Sequence, residues 1–359
     1  MSHLRGAYGF ELVECGRPLR RRELGPLRPG PDQVLVEVEG CGVCHTDLGF
    51  AVEGVPTRHA LPLILGHEIS GLVVETGERA TRWEGCHVIV PAVIPCGDCP
   101  ACRAGRTAVC RKQFMPGNDG DGGFATHVVV PARGLCRVPD ELPPGLSRPD
   151  LAVVADAVTT PYEAIHLSGL GAQDVAVFVG TGGVGGFGVQ IAAARGAAVV
   201  AIDVDPLRLK LARGHGAGLA LDARELDARA LKSAVREFAR DSGRTGIGLK
   251  VFETSGTPQG QVTAFSLVDF GGWLGVVGYT PEKVQLRLSN LMALDATARG
   301  NWGCPPERYP QALQLVLDGK VRIGPFVEYH ALSDVPEVLD ALRAHELHHR
   351  PVLIPDHRP

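Results

Sequence analysis

Cys96, Cys99, Cys102 and Cys110 stand in a C-x2-C-x2-C-x7-C pattern. Four thiolates at that spacing can close around one zinc ion as a tetrahedron with no position left for a substrate. Such a site pins a short lobe of chain and does no chemistry itself. The competing reading is a disulfide framework, which needs an oxidising compartment. Nothing in the sequence points to one. Met1 to Phe10 contains Arg5 and lacks the apolar stretch of a signal peptide. No apolar run approaches a membrane span either. The expected address is the cytoplasm, with no membrane partner.

A chain of 359 residues has room for two domains. At 45% hydrophobic and 21% charged it reads as a soluble globular protein with a sizeable core. A net charge of −4 argues against nucleic acid as a partner. Metal ligation can absorb five of the ten cysteines, and Cys15, Cys41, Cys86, Cys136 and Cys304 read as packing residues.

The first part of the chain reads as short strands and turns. Val34 to Glu39 (VLVEVE) alternates apolar and acidic residues, the mark of a half-buried strand. Ile69 to Glu75, Val88 to Val90 and Ala125 to Val130 are further strand candidates between Gly and Pro punctuation. The Pro-rich stretch Glu141 to Pro149 leads toward a new domain. From about Asp174 strands and helices alternate. Strands are expected at Val175–Val179, Val199–Ile202, Leu249–Phe252 and Trp273–Val277, and helices at Val184–Ala194 and Pro206–His215. That rhythm implies right-handed βαβ units and a parallel sheet covered on both faces. Beyond Gly300, Tyr309 to Leu317 reads as an amphipathic segment, Val335 to Ala344 as a helix and Val352 to Ile354 as a last strand.

In Val177-Phe-Val-Gly180-Thr-Gly182-Gly183-Val184-Gly185 a hydrophobic strand runs straight into a glycine loop that opens a helix. The glycines allow a tight turn, close approach of a pyrophosphate and close helix–strand contact. The helix N-terminus beyond offers free N–H groups to a diphosphate. Asp203 ends the next strand, 23 residues after Gly180. A carboxylate there can accept the adenine-ribose hydroxyls and repel a 2′-phosphate, so NAD is favoured over NADP.

Upstream, Gly40-Cys-Gly-Val-Cys44-His45-Thr46-Asp47 and Leu65-Gly66-His67-Glu68 supply a thiolate and an imidazole. Zinc with three protein ligands keeps an open fourth position, the arrangement of catalytic sites. The third ligand is either Asp156, in Val153-Val-Ala-Asp156-Ala-Val-Thr-Thr160, or Glu68, next to His67.

With two zinc signatures and the glycine loop in this order, the whole chain resembles the zinc-containing medium-chain alcohol dehydrogenases. Those enzymes are the standing example of a Cys2His site with an open position, so the open-site comparison is borrowed from them. From roughly Asp32 onward the chain looks like the 6-hydroxycyclohex-1-ene-1-carbonyl-CoA dehydrogenases of anaerobic benzoyl-CoA degradation. The segments that carry this are Gly40–Gly49 (GCGVCHTDLG), Met115–Asp119 (MPGND), Asp156–Tyr162 (DAVTTPY) and Asn301–Cys304 (NWGC).

The resemblance implies a Rossmann domain over residues 151–300 and a mainly β, GroES-like catalytic domain over residues 1–150 and 301–359, with substrate held between them. Cys44, His67 and Asp156 would hold catalytic zinc, and Thr46 would bond the substrate oxygen. Asp47 would orient His67, as metal-bound imidazoles generally require. His45, Thr160, Arg208, Val277 and Arg350 would lie at the cofactor with Gly180, Gly182, Gly183, Val184, Gly185 and Asp203. The implied reaction is NAD-dependent oxidation of a secondary alcohol to a ketone, the substrate being a cyclic hydroxyacyl-CoA. The implied assembly is a homo-oligomer, a dimer or tetramer, with the Cys96–Cys110 lobe at a subunit contact. The alternatives are a general secondary-alcohol or polyol dehydrogenase, a conjugated enoyl-CoA reductase, and an inactive zinc- and nucleotide-binding relative. One departure stands out. Many relatives carry a proton-passing histidine three positions after the threonine, and here that position is Gly49.

Overall fold

The computed structural model describes residues 6–356, so Arg5 lies outside the described residues. The chain divides into two compact units: residues 1–159, 303–314 and 326–359 form one, and residues 160–302 and 315–325 the other.

The first unit is built on a seven-stranded sheet. Its order is Val327–Ala331, Arg350–Ile354, Gln33–Gly42, Glu68–Thr76, His87–Val90, Cys136–Arg137, with His127–Pro131 also paired to Gln33–Gly42. The alternation read in VLVEVE holds from Val36 onward, with Val36 and Val38 buried and Glu37 and Glu39 half-buried, whereas Leu35 is buried between Val34 and Val36. These valines pack with Ile69, Val88 and Phe124 in one core. A small second sheet joins Arg20–Glu23, Tyr8–Leu12 and Leu63–Ile64. Cys41, Cys86, Cys136 and Cys304 are buried as expected, but Cys15 is exposed. It sits in the turn after Tyr8–Leu12, where no core faces it.

The second unit is a six-stranded parallel sheet in the order Leu219–Asp222, Ala198–Asp203, Val175–Val179, Lys250–Glu253, Trp273–Val276, Thr297–Gly300. Counted along the chain this is 3-2-1-4-5-6, the doubly wound dinucleotide-binding order. Strands buried on both faces read as continuous apolar runs, and VAVFV of Val175–Val179 is buried throughout. Phe178 and Phe252 stack on adjacent strands with ring centroids 4.9 Å apart.

The units divide at residues 159/160 rather than at 150/151, and residues 315–325 join the second unit. The reason is local. Leu151, Ala152, Val153, Val154 and Ala155 are all buried, and they carry Asp156 to the metal-competent cluster described below. No helix among the described residues is long and apolar enough to cross a membrane.

Candidate active site

Three strands of the first unit end together. Gly42 pairs with Glu68 and Cys41 with Ile69 in antiparallel register, while Val352 pairs with Gly42. Cys44, two residues past one strand, therefore meets His67, one residue before the next, and Arg350 arrives beside them. Asp156 is delivered from outside the sheet by the short helical segment Pro149–Ala155. The buried Tyr309 hydroxyl fixes that segment by donating to the Ala155 carbonyl and accepting from the Ala92 N–H at 3.1 Å. Sequence reasoning did not find Tyr309, since nothing local marks a hydroxyl whose partners lie so far along the chain.

One donor atom from each of Cys44, His67, Glu68 and Asp156 falls within a 4.8 Å span. Cys44 Sγ lies 3.8 Å and His67 Nε2 3.7 Å from Asp156 Oδ2. Ligands at about 2.0–2.3 Å around tetrahedral zinc stand about 3.3–3.8 Å apart, so the three fit one ion. Glu68 is engaged elsewhere. Its carboxylate accepts from Arg350 Nε at 2.8 Å and Nη2 at 2.5 Å, and from the Ala157 N–H at 3.1 Å.

Asp47 holds the arrangement from behind. Its Oδ2 accepts the Cys44 N–H at 2.9 Å, and its Oδ1 the Gly66 N–H at 3.2 Å, with His67 Nδ1 3.3 Å away. The Nδ1–H tautomer frees Nε2 for a metal. Burial works against a charged His67, yet Asp47, Asp156 and Cys44 hold its pKa well above the ordinary value. The pocket is anionic and calls for a cation. Burial pushes the Glu68 carboxyl up to about 7 against the pull of Arg350. Arg350 too is opposed by burial, but the surrounding anions, Glu68 foremost, keep it above its ordinary value. The two bonds from Arg350 favour the ionised carboxylate against that burial. Arg350 is thus a buried clamp on Glu68 and not a surface charge.

Thr46 sits in the helix His45–Ala51 with its hydroxyl 3.7 Å from Cys44 Sγ. Cys44, not Thr46, caps that helix. His45 is exposed, with Nε2 3.3 Å from Glu53.

The four-cysteine lobe has its own geometry. Cys99 Sγ lies 3.5 Å from Cys102 Sγ and 3.8 Å from Cys110 Sγ, and Cys96 Sγ 3.9 Å from Cys102 Sγ. Four sulfurs around zinc at about 2.3 Å stand about 3.8 Å apart, whereas a disulfide would need about 2.05 Å. The donor set fits zinc.

In the second unit the loop after Val175–Val179 runs at the switch point, beside the end of Lys250–Glu253. Gly180 has φ +88°, and a Cβ there would come within 2.5 Å of Ser255 Cα. A Cβ on Gly185 would collide with the Gly180 carbonyl. These two positions require glycine. Gly182 and Gly183 form the turn, and Val184 caps the helix Gly185–Ala194. Asp203 Oδ2 accepts from the Thr181 N–H at 2.6 Å and its hydroxyl at 3.1 Å, so the carboxylate fixes the loop as well as ending its strand. The Arg208 guanidinium lies beside Gly182, 3.4 Å from where a Cβ would stand. Val277 follows the strand Trp273–Val276 and donates to the Glu253 carbonyl at 2.9 Å. Thr160 is buried in the helix Thr159–Leu167, its carbonyl bonded by Asn301 Nδ2 at 3.1 Å.

Comparison with known proteins agrees with both halves. The family described as "Alcohol dehydrogenase GroES-like domain" matches residues 30–140, and "Zinc-binding dehydrogenase" matches residues 183–318. The chain is 31% identical to an alcohol dehydrogenase of Geobacillus stearothermophilus, over 96% of this chain and 95% of that one. It is 30% identical to the L-threonine 3-dehydrogenase of Pyrococcus abyssi, over 94% and 93%. The solved alcohol dehydrogenase of Aeropyrum pernix superposes with a TM-score of 0.86 at 30% identity, covering 97% of this chain and 100% of that one. The chain belongs to the zinc-dependent medium-chain alcohol dehydrogenase superfamily.

Proposed function

We propose that this protein oxidises a secondary alcohol to a ketone with NAD+ as acceptor, releasing NADH and a proton. The observation that carries the reading is the Cys44–His67–Asp156 set, three unlike donors within reach of one ion, with the Thr46 hydroxyl beside it. When bound, zinc supplies a Lewis acid for the alcohol oxygen and the nicotinamide supplies the hydride acceptor. Cys44, His67 and Asp156 hold the metal and leave one position open. Thr46 takes the hydrogen bond of the substrate hydroxyl. Asp47 keeps His67 in the ligating tautomer. Arg350 holds Glu68 away from the metal, and His45 lies near the cofactor diphosphate. Gly180, Gly182, Gly183, Val184 and Gly185 receive that diphosphate, and Thr160, Arg208 and Val277 line the remainder of the cofactor.

For the substrate we favour 6-hydroxycyclohex-1-ene-1-carbonyl-CoA, oxidised to the 6-oxo thioester in anaerobic aromatic degradation. GCGVCHTDLG, MPGND, DAVTTPY and NWGC support it. The second reading, a general secondary-alcohol or polyol dehydrogenase, is favoured by relatives named for alcohol and threonine. NADH formation from the cyclic hydroxyacyl-CoA and from free alcohols, on one preparation, separates them. The favoured reading expects kcat/KM for the thioester to exceed that for free cyclohexenols by at least about 100-fold. Equal values would give the second reading. A homo-oligomer, dimer or tetramer, with the Cys96–Cys110 lobe at the contact, is inferred from the superfamily resemblance. The cytoplasm suits a chain in which five cysteines serve metal sites and the others are single thiols.

Cofactor choice rests on Asp203. Asp203→Ser removes an acceptor for the ribose hydroxyls and the repulsion of a 2′-phosphate. The preference for NAD+ over NADP+ in kcat/KM should narrow by about one to two orders of magnitude, the scale of a hydrogen bond to a charged group. Wild-type protein that uses both cofactors equally would remove Asp203 from this role.

A further inference from the structure

Oxidising an alcohol frees one proton for each hydride, and that proton must reach water. In the helix His45–Ala51, position 49 lies one turn beyond Thr46 and His45, as i+3 and i+4, and shares a face with both. Gly49 leaves that face without a side chain. A Cβ there would make only ordinary contacts, 3.4 Å to Val55 Cγ2 and 3.7 Å to Glu53 Oε2. The Glu53 carboxylate therefore lies against the bare part of the helix. The chain is folded back to put it there: the Glu53 N–H donates to the Leu48 carbonyl at 3.4 Å and the Val55 N–H to the Gly49 carbonyl at 3.1 Å. The other carboxylate oxygen, Oε1, is 3.3 Å from His45 Nε2. The side chains of Glu53 and His45 are 27% and 47% exposed, so the pair opens to water. A stability role explains little of this. A surface ion pair contributes about 0–1 kcal/mol, and alanine at 49 would fit sterically and improve the helix.

We propose that Glu53 is the proton acceptor of the reaction, taking the substrate's proton through Thr46 and the space beside Gly49, with His45 as its hydrogen-bond partner. This rests on the dehydrogenase reading above. The alcohol O–H bond breaks and its proton goes to Thr46 Oγ1. The proton of Thr46 passes by way of solvent to the Glu53 carboxylate, forming its O–H bond. The carbinol hydrogen leaves as hydride to NAD+. Glu53 then loses the proton to bulk water and ends the cycle as it began.

The test uses the full-length, zinc-loaded chain with saturating NAD+ and its best alcohol. Glu53→Gln should lower kcat at neutral pH by about 10- to 100-fold, in the range of a lost general base, while KM for NAD+ stays within about twofold. Added imidazole should restore kcat in proportion to its concentration. Gly49→His in the Glu53→Gln background should restore it without imidazole, because the ring lands on the Thr46 face. Proton release, followed with a pH indicator when trifluoroethanol binds the enzyme–NAD+ complex, should slow in Glu53→Gln without any turnover. If Glu53→Gln keeps wild-type kcat across the pH range, this proposal alone fails. It also fails if the variant is slow but neither imidazole nor Gly49→His rescues it, since Glu53 would then be structural. If the wild-type chain oxidises no alcohol, the dehydrogenase reading fails and takes this proposal with it.

Discussion

Asp156→Asn should lose nearly all turnover and most of the metal of its site, while the zinc of Cys96, Cys99, Cys102 and Cys110 stays bound. Partners that merely orient a metal ligand are worth about 10- to 100-fold in activity or affinity. Loss of a ligand should exceed the upper end of that range, so kcat should fall by more than about 100-fold. The amide keeps the shape of the carboxylate but removes the charge that, with Cys44, balances the ion. Glu68→Gln is the necessary comparison. Its carboxylate is held by Arg350 and the Ala157 N–H, so the amide should retain zinc and a substantial fraction of turnover. Zinc content and NADH formation, measured on the same samples, check both. If Glu68→Gln empties the site while Asp156→Asn keeps metal and turnover, Glu68 is the third ligand.

Arg350→Met should destabilise the folded protein by about 3–5 kcal/mol, the loss seen when one partner of a buried ion pair is removed. Glu68 has no exposure in its side chain and Arg350 only 6%. Without the guanidinium the carboxylate keeps one backbone N–H and stays buried beside Asp156. Gly42 is part of the same fit, since a Cβ there would run into Glu68 Oε2. Arg350→Met/Glu68→Met should recover most of the loss, because apolar replacement of both partners avoids the stranded charge. Urea unfolding of wild type and the two variants, all saturated with zinc, reads the difference. A change under about 0.5 kcal/mol in Arg350→Met would show that the pair does not hold this end of the sheet.

Much of this was legible in the chain itself, but unevenly. Val175–Val179 and Tyr309–Leu317 occur with the bounds read from apolar pattern alone. The glycine loop announced its own geometry, because Gly180 and Gly185 sit where a side chain has no room. The helix Ala228–Asp241 was missed although its signal is present: Leu231, Val235 and Ala239 recur every four residues and are its buried stripe. The strand Arg20–Glu23 (RRRE) carries no strand signal at all. It exists because Arg20 and Arg22 pair with the buried Glu11 of the neighbouring strand. The metal-competent residues could be read as residue types, yet not as a set. Asp156 is the favoured third ligand from the sequence and Glu68 the alternative, and Arg350, 282 positions from Glu68, occupies the latter. A contact that long leaves no local trace. Glu53 was hidden for the same kind of reason, since only the fold-back after Ala51 brings it to Gly49.

The proposed chemistry depends on the coordination at Cys44, His67 and Asp156. The most direct measurement is anomalous diffraction at the zinc edge from crystals of the zinc-loaded chain. Two zinc ions per chain are expected. One has four sulfurs, from Cys96, Cys99, Cys102 and Cys110, at about 2.3 Å, and the other has Cys44, His67 and Asp156 at about 2.0–2.3 Å, with Glu68 still clamped by Arg350. A single zinc per chain, or a second zinc held by Glu68 with Asp156 turned away, would contradict it.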